Sequence, residues 1–151
     1  MEIRKANIAD ISVISRLMEA YYKEDGYSFN KEKATSNLEQ FIANSYLGQI
    51  FVAILEDNIC GYVIITNGYS FEYGGKDAFV DELFVVNEFR GKNIGRSLLN
   101  EAISFCHSNG TKAIHLEVEK YKPTTQQMYL NSGFIEHNRT LMTLTFTSDI
   151  S

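Results

Sequence analysis

The sequence predicts an α/β fold in which a central mixed, mostly antiparallel sheet carries helices on both faces. Two β-rich runs at 49–55 and 59–66 are separated only by a short turn, which predicts an antiparallel hairpin. A strand, a loop, a helix and a strand follow one another from 78 to 118, a crossover that implies locally parallel pairing. Helical spacing of apolar residues recurs elsewhere. The predicted order is β-α-α-β-β-β-α-β-α-β-β.

The first third of the chain is predicted to hold one short strand and two helices. Ile3 and its neighbours form the strand. Asp10 can cap the first helix, whose apolar positions follow helical spacing: Ile11, Ile14, Leu17, Met18 and Tyr21. Asn30 can cap a second helix that runs from Lys31 to about Tyr46.

The rest of the chain alternates strands and helices. After the hairpin, a second extended pair flanks Gly74-Gly75, with 78–86 as its outgoing strand. A helix then starts at Ile94 and ends at Asn109-Gly110, in the way that helices commonly stop. The remaining predicted elements are a strand at 113–118, a helix at 123–131, and strands at 134–136 and 141–146. The last strand is apolar and is a candidate edge for a homodimer.

Composition excludes several classes of protein. The 151 residues are 44% hydrophobic and 13% aromatic, and no linker or repeat divides them, so we expect one domain over residues 1–151. The apolar runs are far shorter than the about 18 residues that a membrane span needs. A net charge of −5 argues against a nucleic-acid partner. We therefore expect neither a membrane nor a nucleic acid as partner.

The two cysteines and the N-terminal residues indicate the cellular compartment of the protein. Cys60 and Cys106 have apolar neighbours and no metal-type spacing, which predicts reduced, buried thiols and no metal site. The first residues lead directly into a polar stretch and lack the apolar core of a secretory signal. We expect a cytoplasmic protein.

A small basic loop between the strand at 78–86 and the helix at Ile94 is the most informative segment. Unpaired backbone N–H groups at a helix start, with the positive end of the helix dipole, form an anion site. Glycines at 91 and 95 allow close approach of a ligand, and Arg90, Lys92 and Arg96 add positive charge. Neither Gly-x-x-x-x-Gly-Lys-Ser/Thr nor Gly-x-Gly-x-x-Gly is present. A basic, solvent-facing turn before an ordinary helix is the alternative.

Residues 78–99 resemble the cofactor-binding segment of the GCN5-related N-acetyltransferases (GNAT), whose signature is Arg/Gln-x-x-Gly-x-Gly/Ala. Arg90, Asn93 and Gly95 occupy the three signature positions. Asn93 replaces the usual glycine, and asparagine tolerates a left-handed backbone better than most residues. Downstream, 129–134 matches the Tyr-x-x-x-Gly-Phe motif of the family, although Lys122 and Thr125 stand where the family often has Asn and Ala.

The resemblance implies a GNAT-like fold and acetyl-CoA as co-substrate, with no metal. It implies that an amine attacks the thioester directly, and that a backbone N–H near Phe84 or Val85 meets the oxyanion. The pyrophosphate would lie on the loop and the pantetheine along the strand. The implied cofactor-binding residues are Leu83, Phe84, Val85, Val86, Arg90, Gly91, Lys92, Asn93, Ile94, Gly95, Arg96 and Ser97.

Three residues are candidates for proton transfer. Tyr129, from the Tyr-x-x-x-Gly-Phe motif, is the candidate acid for the departing thiolate; the alternative is a tyrosine that only packs. Glu82 is the first candidate base, because alternation places it among Ala78, Val80, Phe84 and Val86 on one face, where its pKa would rise. Glu117 is the second. Either acid could instead bond the backbone or a lysine.

The segment 21–29 reads Tyr-Tyr-Lys-Glu-Asp-Gly-Tyr-Ser-Phe and lies where the family shapes its acceptor pocket. Aromatic rings with carboxylates could hold an ammonium group. We therefore expect a small primary amine, a polyamine or an amino-acid derivative as substrate. Alternatives are acetylation of a protein amine, a CoA-binding sensor without activity, and a protein-interaction module. Whether the donor is acetyl or a longer acyl group stays open.

Overall fold

The computed structural model describes residues 1–146, and that part of the chain contains five strands and four α-helices. The order is the predicted one up to the last helix. The bounds are β1 Glu2–Lys5, α1 Ile11–Glu24, α2 Lys31–Ala43, β2 Gly48–Leu55, β3 Asn58–Ser70, β4 Gly75–Val85, α3 Ile94–Ser108, β5 Ala113–Leu116 and α4 Pro123–Asn131.

The five strands form one sheet in the order β1-β2-β3-β4-β5. All neighbours pair antiparallel except β4 and β5, which are parallel and are joined through α3, as the crossover predicted. Helices α1 and α2 cover one face, where Ile14 and Leu38 pack with Val52 of β2 in the buried core. On the opposite face Phe105 of α3 contacts Phe51, with ring centroids 5.4 Å apart.

The chain separates into two compact units. The first, Met1–Glu117, contains the sheet and α1 to α3, and the second begins at Val118 and contains α4. The prediction that one domain spans the chain stays a prediction. Both cysteines belong to the first unit and are buried free thiols, as expected from their neighbours. Among residues 1–146, no helix is long and apolar enough to span a membrane.

The two predicted helix caps have different outcomes. Asn30 caps α2 as expected, because its side chain accepts a hydrogen bond of 3.0 Å from the Lys33 N–H. The predicted cap at Asp10 is wrong. Its carboxylate instead accepts hydrogen bonds from both terminal nitrogens of Arg4, at 2.7 and 3.0 Å, and from the Asn7 N–H at 2.8 Å. Asp10 therefore ties β1 to the turn before α1.

The two strands predicted after α4 do not form within the described residues. Neither 134–136 nor 141–146 is a strand, and the apolar side chains of Leu141, Met142, Leu144 and Phe146 are 65–93% exposed. An alternating apolar pattern gives a strand one apolar face. The strand also needs a neighbouring strand that pairs with its backbone N–H and C=O groups. The sheet of the described chain ends at β5, which pairs with β4.

A β-bulge in β4 corrects the predicted alternation. Glu82 lies opposite Ile64 of β3, but Val80 lies opposite Ile65, so Asp81 is an extra residue without a partner. Directly opposed residues share a face of the sheet. Glu82 therefore lies on the α1 face with Ile64, whereas Val80 lies on the α3 face. The prediction that Ala78 and Val80 share a face with Glu82 is wrong, because one inserted residue reverses the alternation.

Candidate active site

The open part of the β4 edge defines the candidate site. β5 pairs with β4 only from Asp77 to Val80, and in the described chain the residues of β4 after the bulge pair with β3 alone. Backbone N–H and C=O groups on the β5 side of this stretch are thus not used by the sheet. The predicted pantetheine-binding residues Leu83, Phe84 and Val85 lie here, with Val86 directly after the strand. A ligand chain can add to such an edge by main-chain hydrogen bonds.

The loop that follows β4 presents the start of α3. The first hydrogen bond of the helix runs from the Ser97 N–H to the Asn93 carbonyl, at 3.0 Å. The N–H groups of Ile94, Gly95 and Arg96 therefore precede the internal bonding of the helix and are available to an anion. Asn93 has φ +61° and ψ +20°, the left-handed conformation that the sequence led us to expect.

The predicted cofactor-binding residues of this loop include one with a buried side chain and several with exposed side chains. The side chain of Ile94 is buried and fixes the helix start in the core, whereas Gly91, Lys92, Asn93 and Arg96 are exposed. A Cβ added to Gly95 would lie 3.7 Å from Cγ2 of Val85, an ordinary contact. The protein itself therefore has room for a small side chain at position 95.

Arg90 braces the loop against α1. Its two terminal nitrogens donate to the two carboxylate oxygens of Glu24, at 2.9 and 2.8 Å. Its Nε donates to the carbonyl of Val85 at 2.9 Å, and its guanidinium lies 5.5 Å from the centroid of the Phe84 ring. The Arg90 side chain thus connects the end of β4, the loop and the end of α1.

Glu82 sits between two tyrosines. Its Oε2 accepts a hydrogen bond of 2.5 Å from the hydroxyl of Tyr22 in α1, and its Oε1 accepts one of 2.7 Å from Tyr62 in β3. Burial raises the pKa of the Glu82 carboxyl, while the two phenol hydrogen bonds act in the opposite direction. Glu82 is the candidate base that the sequence placed first, and the structure sets it on the open part of β4.

Aromatic rings from the segment 21–29 gather beside Glu82. The ring of Tyr21 stacks on Phe84 with centroids 5.3 Å apart. Tyr22 makes edge contacts with Tyr27 and Phe29, at 6.4 and 5.5 Å. Sequence reasoning singled out this aromatic segment. It missed Tyr62, whose only signal is a hydroxyl-bearing residue within the apolar run of β3.

Glu117, the second candidate base, lies after β5 and not beside Glu82 on β4. Glu117 is exposed and follows β5 directly, one residue beyond the pairing of Leu116 with Val80. His115 of β5 instead contacts Asp77 of β4, with 3.0 Å between Nε2 and Oδ2. Among the described residues, no group of three His, Cys, Asp or Glu side chains is arranged to hold a metal ion.

Tyr129, the candidate acid, belongs to the second unit, where it is buried near the end of α4. The Phe134 N–H donates to the Tyr129 carbonyl and the Gly133 N–H to the Leu130 carbonyl, both at 3.1 Å. Gly133 has φ +101°, and the Tyr129 and Phe134 rings meet edge to face at 5.8 Å. These features make a Schellman motif with its hydrophobic contact. Burial raises the pKa of the Tyr129 phenol to about 12.

Comparisons with known proteins show one family of relatives. The family model described as "Acetyltransferase (GNAT) family" matches residues 14–134. An uncharacterized N-acetyltransferase of Archaeoglobus fulgidus is 27% identical over 85% of this chain and 89% of its own length. An uncharacterized N-acetyltransferase of Chlorobaculum tepidum is 28% identical over 89% of this chain and 71% of its own.

Solved structures share the fold. An integron cassette protein from the mobile metagenome of Cole Harbour salt marsh is 30% identical, with a TM-score of 0.88 over 98% of this chain and 92% of that one. A predicted acetyltransferase from Clostridium acetobutylicum, solved with acetyl-CoA, has a TM-score of 0.81 at 18% identity and covers 95% of each chain. With a family model that spans most of its length, the chain belongs to the GNAT family and is an acetyltransferase that uses acetyl-CoA as co-substrate.

Proposed function

We propose that the protein transfers the acetyl group of acetyl-CoA to a primary amine of a small molecule, a polyamine or an amino-acid-like amine. The observation that carries the proposal is the place of Glu82. Its carboxylate lies on the open part of β4, beside the aromatic segment 21–29 and in the same unit as the start of α3. The proposed proton acceptor, the edge proposed for the cofactor and the proposed anion site therefore belong to one compact unit, Met1–Glu117.

The chemistry assigns a role to each group. The amine nitrogen attacks the thioester carbonyl carbon, the C–S bond breaks, and the products are an amide and the CoA thiol. Glu82 accepts the proton that the nitrogen loses, directly or through water. Tyr129 gives a proton to the thiolate, and water restores both groups. N–H groups of the open β4 edge near Phe84 or Val85 stabilise the oxyanion.

The loop after β4 and the start of α3 bind the cofactor in this proposal. The helix-start N–H groups of Ile94, Gly95 and Arg96 receive the pyrophosphate, and Lys92 and Arg96 add charge from exposed positions. Arg90 contributes by bracing the loop, because both of its terminal nitrogens are engaged by Glu24. The acidic balance of the chain, a net charge of −5, suits a cationic acceptor.

The test is release of CoA thiol in the presence of acetyl-CoA and a panel of acceptors: simple monoamines, polyamines, amino-acid derivatives and a lysine-containing peptide. We expect turnover with one of the small amines. Glu82→Gln should lower it and move the pH optimum upward, since free amine must then come from solution. Turnover with the peptide alone would replace the small-molecule assignment by a protein amine. A rise in Tm with acetyl-CoA but no thiol release with any acceptor would favour a CoA-binding sensor.

A further inference from the structure

The Glu82 carboxylate is held by two donors that come from different elements. Tyr62 projects from the middle of the sheet and is fully buried, with 0% of its surface exposed. Tyr22 comes from the last turns of α1 and is fixed by ring contacts to Tyr21, Tyr27 and Phe29. Each tyrosine serves a different oxygen of Glu82. The carboxylate plane is therefore fixed at both ends.

This arrangement suits an ionised carboxylate more than a protonated one. A carboxylate only accepts hydrogen bonds, and each of its oxygens can accept about two. Two phenol donors use one position on each oxygen and leave the others for an incoming proton. A protonated carboxyl can still accept both hydrogen bonds, but hydrogen bonds to an ionised acceptor are about twice as strong, so the two phenols stabilise the ionised form more.

We propose that Tyr22 and Tyr62 are positioning residues that hold the Glu82 carboxylate ionised and oriented, so that it accepts the proton of the acceptor amine. The inference rests on the proposed function. The two hydroxyls thereby do more than satisfy the hydrogen bonding of a buried acid. Tyr62 is the fixed anchor in the sheet, and Tyr22 links the base to the aromatic segment on the acceptor side.

Within residues 1–146, four titratable groups act on Glu82 or on its two donors. Tyr22 and Tyr62 donate to it from α1 and β3, Asp81 is the neighbouring carboxylate on β4, and Tyr21 of α1 lies close to both tyrosines. Burial and Asp81 favour the protonated form of Glu82, whereas the two phenols favour the ionised form. Removal of one hydroxyl therefore has a defined sign: the pKa of Glu82 must rise.

The first measurement does not depend on turnover. The side-chain carboxyl of Glu82 is followed by ¹³C NMR during a pH titration of the wild type and of Tyr22→Phe, with Glu82→Gln used to assign the signal. A hydrogen bond to a charged group is strong enough to move the midpoint upward by about one to two pH units. Tyr69→Phe is the matched control. It removes an exposed phenol hydroxyl from the same strand as Tyr62, roughly 23 Å along it, and should leave the midpoint in place.

The second measurement is the pH profile of kcat/KM with an active amine. The acidic limb should move upward in Tyr22→Phe by the same amount as the titration midpoint. In a Glu82→Gln background, Tyr22→Phe should have no further effect on the profile, because a positioning residue acts through the group it holds. Tyr62→Phe removes the donor from the other oxygen and should shift both measurements in the same direction, which keeps the test available if Tyr22→Phe folds poorly.

The outcomes separate the two claims. An unchanged Glu82 titration in both tyrosine variants overturns the inference, as does a shifted titration without any shift of the rate profile. If no amine supports thiol release in the wild type, the proposed function fails, and the titration alone still decides whether the phenols keep Glu82 ionised.

Discussion

Substitution of Tyr129 by Phe separates the proton-transfer role of this residue from its role in the fold. The Schellman motif at the end of α4 uses the Tyr129 carbonyl and the edge-to-face contact of its ring with Phe134. Neither requires the hydroxyl. We therefore expect the variant to fold, with a Tm close to that of the wild type.

The pKa of the Tyr129 phenol determines the free-energy cost of proton transfer to the thiolate. Burial raises it to about 12, whereas a thiol titrates near 8.5. Transfer of a proton from Tyr129 to a fully formed thiolate is then uphill by about 5 kcal/mol in the protein without cofactor. General acid catalysis typically contributes 10²–10⁴ in rate, or about 3–5 kcal/mol of barrier. Proton transfer that is concerted with cleavage of the C–S bond, or positive charge near the phenolate, would reduce this cost.

The assay is single-turnover and steady-state thiol release with an active amine, alongside the cofactor Kd from titration calorimetry. Tyr129→Phe should reduce kcat by a factor of about 10²–10⁴ and leave Kd near that of the wild type. Tyr121→Phe, an exposed tyrosine of the same unit, is the control and should keep full activity. The acid role is refuted if Tyr129→Phe retains more than about a tenth of wild-type turnover while chemistry limits the rate.

Three further predictions concern the first unit. Asn93→Val should lower the free energy of unfolding by about 1–2 kcal/mol in urea titrations, because a β-branched residue resists the left-handed backbone, whereas Asn93→Gly should not. Glu24→Gln should weaken acetyl-CoA binding in calorimetry, because Arg90 then braces the loop less firmly, and high salt should weaken binding in both proteins; tighter binding by the variant at low salt would show that the freed charge of Arg90 matters more than the brace. Asp10→Asn should cost about 1–2 kcal/mol at pH 7. Arg4 holds the pKa of Asp10 below its usual 3.8, so the difference from the wild type should shrink as denaturation is measured at pH values falling through that range.

Local features of the site could be predicted because local chemistry determines them. Asn93 occupies a left-handed position, and few residues with a side chain accept that conformation. The start of α3 at Ile94 follows from the change of periodicity after the loop. The parallel pairing of β4 and β5 follows from the helix that connects them. In each case the residues that decide the structure are neighbours in the sequence.

The contacts that define the chemistry could not be predicted in this way. Glu24 and Arg90 are brought together by the packing of α1 against the end of β4, and nothing near either residue indicates the other. The same holds for Glu82, whose donors come from α1 and β3. The predicted strand at 141–146 failed for a related reason: its apolar pattern is local, but a pairing partner is not.

The bulge at Asp81 explains how one strand can serve two faces. Val80 packs on the α3 face, and with strict alternation Glu82 would follow it there. A carboxylate on that face would meet the apolar side of α3 and neither phenol, at a high cost in desolvation. The extra residue turns Glu82 to the α1 face, where the hydroxyls of Tyr22 and Tyr62 donate hydrogen bonds to its carboxylate. It does so directly after Val80, where pairing with β5 stops and the edge of β4 opens. The same irregularity that breaks the predicted alternation therefore places the candidate base on the open part of β4.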